Sequence, residues 1–247
     1  MSGYGTYSDD YYNTLTLTTE MDLPTGRESL MHYFEQLQKC HPSMKHFYGR
    51  DDNEYILEEE KDSGSYRWSS VEAKRISSGY VNPATIDDAI AQHVKVLEIV
   101  PFALAVSPLD CSIMQVTFGF DFAYRGNHHE LVADTLGVPP MFARLRENFG
   151  EKLVCYEPFM QFALDPECRI QARLSIEPRT NAFQIRTGEY PEEQLSVFLA
   201  VRRYGSLDTN KSLVATMHEL MAHARDVIDG FVIDNVLLPL QQAISIN

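Results

Sequence analysis

The chain is poor in base. Its 21 Lys and Arg stand against 35 Asp and Glu, a formal net charge of −14, and the isoelectric point is about 4.9. Such a surface repels phosphate backbones, so nucleic acid is not an expected partner. Cysteine is scarce as well. Cys40, Cys111, Cys155 and Cys168 are widely spaced with no CxxC pair, which excludes a zinc ribbon or a dithiol redox motif. Free thiols in a reducing compartment are the expectation, hence a cytoplasmic protein. No apolar run approaches the roughly 18 residues of a membrane span, and the start, MSGYGTYSDDYYNT, has neither the basic nor the apolar part of a secretory leader. No membrane partner is therefore expected.

Sequence signatures of chemistry are missing too. G-x-S-x-G, the phosphate-cradling G-x-x-x-x-G-K-[ST] and the dinucleotide G-x-G-x-x-G do not occur. No cofactor is expected. There is one tryptophan, Trp68, which reads as a core residue. What the chain does have is an ordinary globular composition, 44% hydrophobic and 23% charged over 247 residues, enough for one large domain or two fused small ones.

Residues 1–12 lack any period and are expected to be a flexible arm. Leu15, Leu17, Thr19, Met21 and Leu23 alternate with polar residues, which predicts a half-buried strand over 15–23. Leu30, Phe34 and Leu37 fall at helical spacing, with Thr25 as candidate cap and His41-Pro42 as the stop. A hairpin is predicted over 55–61 and 66–76, and a helix after Asn82-Pro83 carrying Ile86, Ala89, Ile90, His93, Val94 and Leu97 on one face. Met114, Val116, Phe118, Phe120 and Phe122 mark the clearest strand. A second hairpin follows over 159–164 and 169–177, then strands over 183–187 and 195–204. A long last helix begins near Asp208 or Thr209, with Leu213, Met217, Leu220, Met221, Ala224 and Ile228 as its stripe and Gly230 as a candidate end or kink.

Shifting Leu15, Leu17 and Met21 by 99 lands on Met114, Val116 and Phe120, and Gly26 matches Gly126 with one inserted residue. The expected fold is therefore α+β, with two similar strand-helix-strand-strand-helix halves, 13–110 and 111–247, related by internal duplication. Antiparallel sheets would be covered by helices, with a long helix at the C-terminal end.

The stretch MHELMAH (217–223) resembles a zinc-protease helix, but His218 and His223 are five apart. That separates their rings by about 140° around a helix, where chelation needs the roughly 40° of an i, i+4 pair. Glu219, His223 and Asp226 share a face and read as a solvated polar surface. In RGNHHEL (125–131), His128, His129 and Glu130 fall in the first turn of a helix that Asn127 can cap. There the helix dipole favours neutral imidazole, a good ligand or base. With His223 these residues define an alternative reading, a small metal-dependent hydrolase.

One segment runs against the overall charge. Between 168 and 204 lie Arg169, Arg173, Arg179, Arg186, Arg202 and Arg203 against Glu177, Glu189, Glu192 and Glu193, a net of six minus four, or +2. Arginine's planar fork suits carboxylates. The leading expectation is a binding or assembly protein without catalytic chemistry. It would act through a sheet face bearing Arg169, Arg173, Arg186, Arg202 and Arg203, with Phe183, Phe198 and Tyr204 as anchors. Its partner would be an acidic protein or another copy of itself.

Overall fold

A computed structural model of the chain describes residues 3–24, 26–50, 54–207 and 211–246. Nine antiparallel strands form one sheet: β1 (Asp10–Thr19), β2 (His46–Arg50), β3 (Glu54–Glu58), β4 (Tyr66–Val71), β5 (Arg75–Val81), β6 (Cys111–Tyr124), β7 (Phe159–Ala163), β8 (Ile170–Glu177) and β9 (Glu193–Tyr204). Their order is β2-β3-β4-β5-β1-β6-β9-β8-β7. The α+β class holds, and the two sheets expected of the halves are joined edge to edge through β1 and β6. Outward from that central pair, β5, β4, β3 and β2 follow in descending chain order on one side, and β9, β8 and β7 on the other.

Seven α-helices accompany the sheet among the described residues: α1 (Arg27–Cys40), α2 (Ile86–Ala103), α3 (His128–Leu136), α4 (Pro140–Phe149), α5 (Ala182–Thr187), α6 (Leu213–Val227) and α7 (Leu238–Ile246), with a π-helical stretch, Ile228–Leu237, joining α6 to α7. Gly230 lies inside that stretch and does not end the helix. From Leu213 to Ile246 the helix is continuous for 34 residues, long and apolar enough by composition to cross a bilayer. Here Met217, Leu220, Met221, Ala224, Ile228, Val232 and Leu240 from it are buried in the protein core.

The layering follows from period-two alternation. Along β1 every second residue is buried: Tyr11, Asn13, Leu15, Leu17 and Thr19. On β6 Met114, Val116, Phe118, Phe120 and Phe122 join them, and on β9 Leu195, Val197, Leu199 and Val201. On this side α1 contributes Leu30, Tyr33, Phe34 and Leu37, α2 contributes Val96, Leu97 and Val100, and α6 its Leu/Met stripe. Helix α2, expected to open at Asn82-Pro83, begins instead at Ile86. Thr85 and Asp88 form a reciprocal capping box, which satisfies two N–H groups that the helix start leaves free.

Polar groups also cross this layer. Gln92 donates to Ser78 Oγ (3.0 Å), which pairs with His93 Nδ1 at 2.9 Å, and His93 Nε2 pairs with Asn13 Oδ1 at 3.0 Å. Asn13 in turn donates to the Thr117 carbonyl. The chain of donors fixes the ring as the neutral Nε2–H tautomer, with Ser78 donating to Nδ1. It ties α2 through β5 and β1 to β6.

Several expectations need correction. Residues 1–12, expected as a flexible arm, carry structure from Tyr4 on. Tyr4–Thr6 form a 3₁₀ turn, Tyr4 donates to Asp229, Tyr11 is a core residue, and 10–12 begin β1. The first strand accordingly runs over Asp10–Thr19 instead of 15–23, and Met21 is exposed. Residues 183–187, expected as a strand, are helix α5. Asn181 accepts from the Phe183 and Gln184 N–H groups while Gln184 reaches back, and this local capping overrides the β-like composition of the segment. The strand expected over 66–76 breaks at Glu72–Lys74 into β4 and β5. Thr25, Asp208 and Thr209, the expected caps, lie outside the described residues, and α1 starts from Gly26.

Candidate docking face

With α1, α2 and α6 packed on one side, the other side of the sheet has no helical layer among the described residues over its central strands, where Tyr12, Thr14, Thr16, Thr18, Gln115 and Thr117 are half-buried. The strand registers align this open face into rows. One row crosses seven strands as Tyr66, Val81, Tyr12, Gly119, Phe198, Ser175 and Phe159, so that aromatic rings alternate with smaller residues. The reason is steric. The Tyr12 ring lies across Gly119, where an added Cβ would come within 2.2 Å of it. Tyr12 also meets Phe198 at 6.1 Å between centroids. In the next row Trp68 lies across Gly79 in the same way, with a Cβ position 2.3 Å from its ring. Trp68, expected in the core, is thus a half-exposed residue of the open face.

This arrangement gives a direct test. Gly79→Ala should lift the Trp68 ring off the sheet. Because Trp68 is the sole tryptophan, its emission should move to the red and acrylamide should quench it faster. Overpacking of this kind costs about 1–3 kcal/mol. An unchanged spectrum would contradict the packing of ring on glycine.

The predicted arginines divide. Arg173 and Arg202 share the open face in adjacent rows, opposite Ala200 and Gln171. Arg173 lies over the Phe159 ring at 4.8 Å, a cation–π contact. Arg202 donates to Tyr204 at 3.2 Å, and its buried Nε has no partner. Neither arginine forms an ion pair with a described carboxylate. Arg203 belongs elsewhere. Adjacent residues of a strand point to opposite faces, so Arg203 turns to the helix side, where it is buried and donates to the Gly205 and Ser206 carbonyls. Arg169 precedes β8 and pairs with Glu167. Arg186 sits on helix α5 and not on a strand, over Phe183. Of the three expected anchors, Phe198 and Tyr204 lie on the open face and Phe183 does not.

Arg179, outside the predicted set, donates to Ser196 Oγ on the same face (3.3 Å). Nearby, Asp121 is buried opposite Asp10, and burial raises its carboxyl above the ordinary range although Ser196, Arg179 and Tyr12 act against the shift. On the β2–β5 side the open face forms a concave cleft of about 310 Å³ over Trp68 and Tyr66. Its charges are paired: Arg75 with Glu72, Lys61 with Glu58, and Arg50 with Glu54. Free positive charge is therefore concentrated on the β8–β9 side.

The histidine cluster has a structural arrangement. His128 and His129 are buried at the start of α3. His129 Nδ1 accepts from the Tyr156 N–H (3.0 Å) and Nε2 pairs with the Thr180 carbonyl (2.9 Å). His128 Nδ1 accepts from the Arg179 N–H and Nε2 pairs with the Tyr124 carbonyl, both at 3.3 Å. Desolvation holds the His128 imidazole below its ordinary pKa. All four ring nitrogens thus bind backbone, stitching the β6–α3 junction to the loops at 156 and 179–180. Glu130 is half-buried and accepts from the Leu153 N–H. His223 lies on α6 and does not join them. The ligand-type atoms that do converge, within 4.8 Å, belong to His129, Cys155 and Glu157. Comparison with family models, curated proteins and solved structures finds no match for the chain.

Proposed function

We propose that this is a binding protein whose open sheet face receives a protein segment bearing carboxylates beside apolar side chains. One observation carries the reading. Two arginines without a carboxylate partner among the described residues, Arg173 and Arg202, lie beside an aromatic row on a sheet face that no described helix covers. A −14 chain has ample acid with which to neutralise its arginines, as it does for Arg75 and Arg50 on the β2–β5 side, but no described carboxylate pairs with Arg173 or Arg202. Rings lying flat supply area at low entropic cost, and arginine supplies orientation. Each exposed ion pair adds only about 0.2–1 kcal/mol, so apolar contact with Tyr12, Phe198 and Phe159 must provide most of the affinity.

Panning a random peptide library against the protein tests this. Selected peptides should be enriched in Asp and Glu. They should bind Arg173→Glu/Arg202→Glu at least tenfold more weakly and lose affinity as salt rises. Peptides that bind the double variant as well as the wild type would refute the docking face.

The alternative, a metal-dependent hydrolase, is supported by the convergence of His129 with Cys155 and Glu157 and opposed by the backbone hydrogen bonds on both imidazole nitrogens. Stoichiometric metal in the purified protein would favour it. The mirrored strand order about β1 and β6 supports reading the halves as copies of one unit. Superposing 13–110 on 111–247 over more than a single helix is the test of that reading.

A further inference from the structure

We propose that the chain pairs with a second copy of itself through strand β7 and helix α4, a surface at the sheet edge that borders the open face at Phe159 and Gln161. Three observations converge on it. The first is an unprotected sheet edge. The Leu164 N–H donates to the Ile170 carbonyl and the Ile176 N–H to the Pro158 carbonyl. The antiparallel ladder therefore turns the backbone groups of Met160 and Phe162 toward β8, and those of Phe159, Gln161 and Ala163 outward. Sheet edges are normally guarded by charge or proline. The opposite edge, β2, carries His46 and Arg50, paired with Glu60 and Glu54. Strand β7, with the sequence FMQFA, carries no charge and no proline.

The second observation is apolar area. Helix α4 buries none of its residues. Its stripe of Met141, Phe142, Leu145 and Phe149 and the β7 residues Phe159, Met160 and Phe162 are between 39% and 83% exposed. At roughly 200 Å² per large side chain they present on the order of 900 Å², close to the ~800 Å² that each partner of a standard interface buries. An apolar groove of about 480 Å³ separates α4 from the segment 150–157 that leads into β7.

The third is charge, and it selects the occupant. Two chains of −14 repel one another over most of their surface. Within 138–163, however, Arg144, Arg146 and Lys152 balance Glu147, Glu151 and Glu157, and this neutral patch can meet its own copy without that penalty. A two-fold axis at Gln161 sets Gln161 against its copy and Phe159 against Ala163, so all the outward N–H and C=O groups are paired. Such a contact closes at two subunits. Pairing β7 with β2 would instead be open-ended and would bring the guarded edge into the interface.

Light scattering across a concentration series tests the idea. The wild type should approach twice the 28.2 kDa chain mass. Added salt should strengthen this association by screening the net charge, whereas docking on the open face should weaken. Gln161→Glu and Gln161→Lys each place like charges on the axis, and each variant alone should remain monomeric with an unchanged melting temperature. Mixed one to one, they should recover the dimer. A wild type monomeric up to its solubility limit, single variants that still dimerise, or a mixture that stays monomeric would each overturn the proposal. Gln161 lies opposite Arg173, so peptide binding is compared in a different variant: Arg173→Gln/Arg202→Gln leaves the β7 backbone untouched and should still dimerise while losing the acidic peptides, so the two ideas fail separately.

Discussion

Met217→Asp should leave no folded protein to purify, or a chain destabilised by more than about 4 kcal/mol. Met217 is fully buried on α6, in the stripe with Leu220, Met221 and Ala224 that seals the helix onto β6 and β9. A carboxylate there would be enclosed among the core side chains and cut off from water. A domain is typically stable by only about 5–15 kcal/mol, so one unpaired buried charge consumes much of the margin. Met217→Leu keeps the volume and should cost less than about 1.5 kcal/mol. Denaturant titration of the two variants decides the matter. If Met217→Asp unfolds at the wild-type midpoint, α6 is not docked as described. His218 and Glu219, one and two residues on, are exposed and half-buried, and Ala there should change stability by no more than about 0.5 kcal/mol.

That contrast shows why some of the fold was legible in the sequence. Where one face of an element meets the core and the other meets water, the pattern of residues states the element and its orientation. The α6 stripe, the β6 alternation from Met114 to Phe122 and the α2 face all belong to this class. The pattern is silent where residues break the correlation between polarity and exposure. Asn13 and Tyr11 face the core of β1, so its first half reads as an unstructured arm, and the short edge strand β2 has no buried residue to mark it. The candidate site was half legible. An arginine-rich segment is a matter of composition, but which of its arginines share a face depends on strand parity. Parity alone already forbids Arg202 and Arg203 from sharing one. The aromatic row from Tyr66 to Phe159 was beyond reach. Its members are scattered over seven strands between residues 12 and 198 and become neighbours only through six separate registers. Trp68 and Tyr12 lie flat because Gly79 and Gly119 sit opposite them, a pairing across strands that no local window contains.

Acid should destabilise the protein well before its carboxylates titrate, and His93 is the reason. Its ring is fully enclosed between α2 and the sheet, and desolvation lowers its pKa to about 3. An unfolded histidine titrates near 6.5. Above that value both states are neutral and the full stability is present. As pH falls from about 6.5 toward 3, the unfolded chain takes up a proton that the folded ring refuses, and stability drops by roughly 1.4 kcal/mol per pH unit. The total over that range is on the order of 4 kcal/mol. His128, also held below its ordinary pKa by burial, acts in the same direction. Glu59 is lowered by Ser43 and Arg67 against its own desolvation, so its contribution disappears only at lower pH, as it protonates. Asp121, raised by burial, works in the opposite sense, since in acid its folded form takes the proton more readily. Between pH 6.5 and 4.5 the histidines therefore dominate. His93→Gln retains an amide able to donate toward Asn13 but cannot titrate. It should lower stability at neutral pH by about 1–3 kcal/mol, because the Ser78 hydroxyl loses its acceptor, and it should flatten the slope between pH 6.5 and 4.5. Urea midpoints measured for wild type and variant at several pH values give both slopes. Parallel slopes would mean that His93 is not the group that senses acid and that the Ser78–His93–Asn13 relay is not sealed from water.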